Sequence, residues 1–176
     1  SLGYGSIDEN VGALKNTGIE MVLYGTIINQ NGWVWKLGMN LTHYKNKVTD
    51  LPLKDMPRSG VNKLQVGRSV YDFYMIEWAG VDPENGDPLW YMDEKDANKN
   101  PTGRRVTTND YSSADYYYVN KSSLPKVYGG FNTSLSWKGF DLSAIFAYSI
   151  GGYIYNRDIT MILHNGSLEG RDWSTE

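Results

Sequence analysis

The sequence predicts an all-β fold, an antiparallel transmembrane β-barrel segment that carries a long extracellular loop. Three observations lead to this prediction: two regions alternate apolar and polar residues, each region folds back at a tight Asn-Gly or Lys-Gly turn, and aromatic residues gather at both ends of the arms. The arms are about 10 residues or longer, the length that a tilted strand needs to cross a bilayer, whereas soluble strands more often run about 5 to 6.

The first barrel hairpin is placed in residues 1–49, with its clearest alternation between residues 18 and 48. Asn31-Gly32 favours a two-residue turn because both positions tolerate the positive φ that short hairpins require. One side of the hairpin is apolar, with Ile19, Met21, Leu23, Ile27, Trp33, Trp35, Leu37, Met39 and Leu41. The other side is mostly polar, with Glu20, Tyr24, Thr26, Lys36, Asn40, Thr42 and Tyr44.

The second barrel hairpin is placed in residues 127–157 and turns at Lys138-Gly139. Its apolar side carries Phe131, Thr133, Leu135, Trp137, Leu142, Ala144, Phe146, Tyr148 and Ile150. Its other side carries Asn132, Ser134, Ser136, Ser143, Ala147 and Ser149. The period of two in both arms predicts strands with one apolar and one polar face.

Residues 50–126 separate the hairpins and are predicted to form a long loop insert. From residue 50 to 125 there are 12 Asp and Glu against 9 Lys and Arg, so this region accounts for the whole net charge of −3. Turn-forming Pro and Gly dipeptides crowd it. Outer-membrane barrels have short periplasmic turns and long extracellular loops, so we expect 50–126 outside the cell and 158–176 to begin the next extracellular loop.

Aromatic residues at the two ends of the arms are typical of the interfacial belts of a membrane barrel. Around the turns stand Trp33, Trp35, Trp137 and Phe140, and at the far ends Tyr44, Tyr128, Tyr148, Tyr153 and Tyr155. We therefore expect Ile19, Met21, Leu23, Leu37, Met39, Leu135 and Phe146 to face lipid. We expect Glu20, Tyr24, Lys36, Asn40, Asn132, Ser134 and Ser136 to face the lumen. A soluble β-sandwich with an equally apolar inner face fits the alternation as well.

Composition and motifs exclude several functions. A net charge of −3 and a pI near 5.4 argue against nucleic-acid binding. No stretch is apolar enough for a membrane-spanning helix, and the ends of the chain are expected to be those of an internal segment of a longer polypeptide. The only histidines, His43 and His164, are far apart, and no catalytic, phosphate-binding or zinc motif occurs. We therefore expect neither an enzyme nor a cofactor.

The loop also contains two candidate binding features. Asp82 to Asp87 holds three carboxylates, but Gly86 stands at position 5 rather than position 6 of a calcium loop, so a hairpin turn is the favoured interpretation. Aromatic rings beside carboxylates and amides are typical of sugar recognition, or they pack against neighbouring loops or a partner protein. The candidate substrate-binding residues are Trp78, Trp90, Tyr91, Asp93, Tyr116 and Tyr117.

Four stretches in this order carry a resemblance to a known family. They are NVGALKNTGIEMVLYGTI (10–27), WVWKLGMNLTHYKNKVTDL (33–51), WAGVDPENGDPLWY (78–91) and LPKVYGGFNTSLSWKGFDLSAIFAYSIGGYIYN (124–156). Together they resemble the C-terminal half of the barrel of SusC/RagA-type TonB-dependent outer-membrane transporters. The resemblance implies a plugged barrel of about 22 strands, of which this chain supplies roughly four.

The resemblance also implies a function in the outer membrane: uptake of glycans or of other oligomers, including peptides, with a SusD-like surface lipoprotein. The family's plug, TonB-contacting segment and final aromatic-ended strand have no counterpart in these residues. TonB is therefore expected to act through a plug that this chain does not contain. The alternative from another class is a soluble all-β carbohydrate-binding or adhesion domain, which would bury the same apolar faces against a second sheet.

Overall fold

The computed structural model describes residues 12–53, 56 and 59–162, with the side chains up to residue 159. His164, the start of the first hairpin region and most of the predicted next loop lie outside the described residues. In chain order the elements are β1 (Ala13–Gln30), β2 (Trp33–Asp50), β3 (Asp72–Ile76), β4 (Trp78–Val81), β5 (Pro88–Lys95), β6 (Pro101–Thr108), a 3-10 turn (Tyr111–Ser113), β7 (Tyr116–Ser122), β8 (Val127–Trp137), β9 (Phe140–Ile150) and α1 (Arg157–Ile162).

The long strands form one antiparallel sheet in the order β1-β2-β8-β9. This confirms the predicted all-β class and the four-strand barrel segment, which does not close on itself. Both predicted two-residue turns are present, because Asn31 (φ 54°) and Gly32 (φ 79°) join β1 to β2, and Lys138 (φ 47°) and Gly139 (φ 88°) join β8 to β9. Within the described residues, no helix is long and apolar enough to span a membrane.

The pairing register places the apolar side chains on one face of the sheet. Leu37 lies opposite Gly25 and Thr133, and Met39 lies opposite Leu23 and Phe131. Directly paired residues of an antiparallel sheet point to the same side, so the alternation read from the sequence continues across all four strands. Leu135 and Phe146 join this face through their pairs with Leu142 and Phe131.

One residue of the predicted apolar side is displaced. The register shifts between Thr26 and Ile28, so that Ile28, rather than Ile27, pairs with Trp35. A bulge adds one residue to one strand and reverses the side on which the following residues point. Ile28 thus takes the paired position on the apolar face that a strict period of two assigns to Ile27, because such a period cannot reveal an inserted residue.

The aromatic belt near the turns is present, whereas the far belt is mixed. Trp33 pairs with Trp137 and their rings stack at 4.8 Å between centroids. At the other end, Tyr128 pairs with Thr42, on the polar face, and its ring meets that of Tyr44 edge-on at 6.3 Å. Tyr44 and Tyr128 therefore do not belong to a lipid-facing belt. In β2 and β8 the even-numbered residues point to the polar face, where the lumen candidates lie.

The insert between the hairpins is folded rather than a succession of turns. β3 pairs with β7, and β4, β5 and β6 form a second small antiparallel sheet. The insert also binds the free edge of β2 where β8 has ended: Val48 donates to the carbonyl of Arg68 at 2.8 Å and accepts from Gly67 N at 2.8 Å. Val48 is 1% exposed, so this junction anchors the insert to the barrel sheet.

Candidate functional site

One face of the small β4-β5-β6 sheet carries an aromatic cluster of Trp78, Trp90 and Tyr111. Trp78 and Trp90 pair across β4 and β5, with ring centroids 6.0 Å apart and planes at 78°. The 3-10 turn after β6 brings Tyr111 to 5.2 Å from Trp90, also at 78°. Trp78 is 54% and Tyr111 56% exposed, so two large rings flank a half-buried one at the surface. Exposed rings in this arrangement can stack on an apolar ligand face.

The other face of the same sheet is built around Arg105. Its guanidinium carbon lies 4.2 Å from the ring centre of Tyr91 and 3.9 Å from that of Tyr117. Its Nη2 also forms a 2.8 Å ion pair with Oε2 of Glu77. A guanidinium over two ring faces is a favourable cation–π arrangement, and it covers surface that a ligand would otherwise need. Tyr91 and Tyr117 therefore serve the packing of β7 against β5 and β6.

Asp93 completes this packed face. Its Oδ1 accepts a 2.9 Å hydrogen bond from the Tyr117 hydroxyl, and its amide donates to Oδ2 of Asp115 at 2.8 Å. Burial, followed by the hydrogen bond to Asp93 and the negative charge of that carboxylate, raises the pKa of Tyr117 to about 12. The neutral phenol is thus the form that the fold requires.

We expect Tyr117 to couple loop stability to pH. Because the pKa of the folded state lies above the ordinary value of 10.0, its contribution is full below pH 10 and is lost as the pH rises towards about 12. Phenolate absorbance of the full-length protein, compared with that of its Tyr117→Phe variant, should differ by one tyrosine that titrates near 12. The Asp93→Asn variant should lower that midpoint, whereas a midpoint at 10 in the unmodified protein would contradict this assignment.

Tyr116 belongs to a different part of the insert. Its ring stacks on Tyr74 at 5.9 Å and 20°, within the β3-β7 sheet. The six candidates from the sequence therefore divide into three groups: an exposed aromatic cluster with Trp78 and Trp90, a packed face with Tyr91, Asp93 and Tyr117, and Tyr116 in the neighbouring sheet. Tyr111 completes the exposed cluster, although it is not among the six candidates. The only sign in the sequence of its role in the cluster is that it is an aromatic residue of the same stretch.

In the acidic turn at Asp82, side-chain oxygens accept hydrogen bonds from backbone amides of the same turn. Asp82 Oδ1 accepts from Glu84 N at 2.9 Å, and Asn85 Oδ1 accepts from Asp87 N at 2.8 Å. The amide of Gly86 donates to the carbonyl of Asp82 at 2.8 Å, as the hairpin turn between β4 and β5 requires. In the described part of the chain, no group of three His, Cys, Asp or Glu side chains is placed to hold a metal ion.

The seven lumen candidates share the polar face of the barrel sheet. The pairs that demonstrate this are Glu20 with Thr42, Tyr24 with Gly38, Gly38 with Asn132, and Lys36 with Ser134. Asn40 joins them, because its Oδ1 accepts from Gly130 N at 3.0 Å across the strands. That this face lines the lumen stays a prediction.

The relatives found by comparison with known proteins are all TonB-dependent receptors, although no protein-family model matches the chain. It is 30% identical over 175 residues to TonB-dependent receptor P26 of Formosa agariphila, covering 88% of this chain and 16% of that receptor. It is 28% identical over 161 residues to TonB-dependent receptor SusC of Bacteroides thetaiotaomicron, covering 84% of this chain and 15% of SusC.

Solved structures show the same similarity in three dimensions. The RagAB peptide transporter matches with a TM-score of 0.79 and 35% identity, over 94% of this chain and 18% of the matched chain. The RagAB peptide importer in its closed-closed state matches with a TM-score of 0.77 and 34% identity, over 91% and 18%. The chain therefore spans only about a sixth of the curated relatives, 16% and 15% of their lengths.

Proposed function

The chain belongs to the SusC/RagA-type TonB-dependent receptors of the outer membrane, as a segment of their β-barrel, and we propose that the whole protein imports an oligomeric nutrient across that membrane. The observation that carries this proposal is the RagAB match, with 35% identity over 94% of the chain. The named relatives are receptors and importers, and we propose no catalytic activity.

The two faces of the barrel sheet support this placement. Ile19, Leu142 and Phe140 are 68%, 70% and 76% exposed, and in the described part of the chain no second sheet covers them, as the β-sandwich alternative would require. A barrel wall instead exposes such side chains to lipid and turns its polar face to the lumen. On this basis the Asn31-Gly32 turn is periplasmic and the 50–126 insert is extracellular.

We propose a glycan as the first candidate substrate. The exposed rings of Trp78 and Tyr111 provide stacking surfaces. Neutral sugar rings present C–H faces that stack on such surfaces. Peptide is the second candidate, because the solved relatives are the RagAB peptide importer and the RagAB peptide transporter.

The partners follow from the same placement. A SusD-like lipoprotein would cover the extracellular insert, and TonB would act through a plug formed by other residues of the full protein. The insert suits this role because it is joined firmly to the wall through Val48 and carries exposed aromatic surface.

Removing the outer rings should reduce uptake. We expect the Trp78→Ala, Tyr111→Ala double variant of the full-length receptor to lower the affinity for its oligomer roughly tenfold, since each lost stacking contact contributes about 0.5 to 1.5 kcal/mol. Growth on oligosaccharides and on oligopeptides, each as the sole nutrient, identifies the substrate class.

The matched control is Val81→Ala, which shortens a 58% exposed apolar side chain of the same sheet outside the cluster. It should leave uptake unchanged. Undiminished uptake of every oligomer by the double variant would contradict the proposed role of the cluster. If deletion of the receptor left growth on every tested oligomer unaffected, this result would contradict the proposed import itself.

A further inference from the structure

The lipid-side face of β1 and β2 changes character towards the insert. Starting at the turn, its side chains are aromatic and then aliphatic, up to the pair Met21 with Leu41. The next pairs on the same face are Ile19 with His43, Thr17 with Lys45, and Lys15 with Lys47. We name Lys15, Lys45 and Lys47 the lysine patch, and all three are exposed.

The position of the patch along the strand corresponds to the edge of the membrane. Ten residues separate Trp33 from His43, which at about 3.3 Å per residue is about 33 Å along β2. For a strand tilted by about 40° this gives a height of about 25 Å, equal to the apolar band of an outer-membrane barrel. Lys45 and Lys47 therefore lie just beyond the hydrocarbon, at the level of the lipid headgroups.

The positive charge of the patch is not neutralised within the described residues. Lys15 stands directly opposite Lys47, and like charges at paired positions destabilise a sheet. Across residues 12–53, 56 and 59–162, none of the three lysines lies within 4.0 Å of a carboxylate. On the other face at this height the residues are neutral, with Asn46 donating to Asn16 at 2.8 Å. At the paired positions of β1 and β2, the lysines thus point outward and the uncharged Asn16 and Asn46 point inward.

A cleft of about 600 Å³ lies beside the patch, where the edge of β2 continues past the end of β8. Four cations and one carboxylate are among the residues that line it: Lys45, Lys47, Arg68, Lys126 and Asp72. Lys126 is at the same height as His43, because its carbonyl accepts a hydrogen bond from His43 Nδ1. The cleft thus extends the positive surface along the headgroup level from β2 to the start of β8.

We propose that the lysine patch and this cleft bind the phosphate groups of an anionic glycolipid in the outer leaflet. Clusters of basic side chains beside a membrane-spanning surface attract anionic headgroups, and each lysine contributes a gain in affinity. The aliphatic face of the same strands would contact the acyl chains of the same lipid, which a free phosphate ion could not do. The inference rests on the proposed placement of the barrel face in lipid.

The test uses the full-length receptor in detergent and the bisphosphorylated and dephosphorylated forms of lipid A as probes. Native mass spectrometry counts the bound lipid for the unmodified receptor, for Lys45→Gln/Lys47→Gln and for the control Lys95→Gln/Lys99→Gln, which removes the same charge from exposed positions in the insert. We expect the first variant to bind bisphosphorylated lipid A at least tenfold more weakly. The control should match the unmodified receptor, and dephosphorylated lipid A should not distinguish the three.

Several results would overturn the inference. These are equal binding of bisphosphorylated lipid A by both variants, equal binding of both lipid forms by the unmodified receptor, or complete displacement by inorganic phosphate, which would indicate a simple anion site. Loss of a co-purified lipoprotein without loss of lipid would make the patch a protein interface. Lipid binding does not depend on substrate uptake, so failure here is distinguishable from failure of the proposed import.

Discussion

Leu37→Arg in the full-length receptor is expected to lower the free energy of unfolding by about 2 to 4 kcal/mol, because it would place a guanidinium near the middle of the hydrocarbon. Leu37 lies on the apolar face between Gly25 and Thr133, about halfway from the tryptophans at the turn to His43. Denaturant unfolding in lipid vesicles and heat-modifiable mobility in gel electrophoresis both measure the loss.

The control for this substitution lies at nearly the same height on the opposite face. Ser143 pairs with Ser134, which pairs with Lys36, the neighbour of Leu37 in β2. Ser143→Arg would point to the polar face, so we expect a change of less than about 1 kcal/mol. Equal effects of the two arginines, or no effect of Leu37→Arg on stability and membrane insertion, would mean that the faces are assigned the wrong way.

Gly129→Ala is expected to destabilise the barrel sheet by about 1 to 3 kcal/mol through overpacking. A Cβ at this position would collide with the backbone carbonyl oxygen of Asn40 and would lie 2.8 Å from the Tyr148 hydroxyl. That hydroxyl crosses over Gly129 to donate a 3.0 Å hydrogen bond to the Asn40 carbonyl, so the methyl group would disturb this bond as well. Denaturant unfolding of the full-length receptor measures the change.

Gly25→Ala provides the matched comparison in β1. Among the described residues, apart from its two chain neighbours, no atom lies within 4 Å of the Cβ that this substitution would add. We expect stability to be unchanged or slightly increased, because alanine loses less conformational entropy than glycine on folding. If the two glycine variants behaved alike, the close approach of Tyr148 and Asn40 to Gly129 would not be a determinant of stability.

The barrel sheet was largely predictable from the sequence because its determinants are local. Alternation at period two fixes the faces, and Asn31-Gly32 and Lys138-Gly139 fix the turns. The exceptions are also local. The bulge after Thr26 adds a residue without a sequence marker. The face on which Tyr128 points follows from its pair with Thr42 and not from its place at the end of the strand.

Part of the insert was less predictable because two of its strands, β3 and β7, pair over a long distance in sequence. β3 meets β7 across about 40 intervening residues, as the pair of Ile76 with Tyr116 illustrates. Turn-rich composition therefore suggested a loop where small sheets form. The same reason explains the candidate site: the sequence identified aromatic residues, but only the fold separates the exposed Trp78 from Tyr117, which lies beneath Arg105.

The orientation of this segment in the outer membrane is the central claim and can be measured directly. This chain contains no cysteine, so Asn98→Cys in the insert and Gln30→Cys at the predicted periplasmic turn can be introduced singly, in a full-length receptor from which any other cysteines have been removed. A bulky maleimide that cannot cross the outer membrane is then added to intact cells. We predict labelling of the Asn98→Cys variant in intact cells and of Gln30→Cys only after lysis. Labelling of Gln30→Cys in intact cells, with Asn98→Cys protected until lysis, would contradict the account.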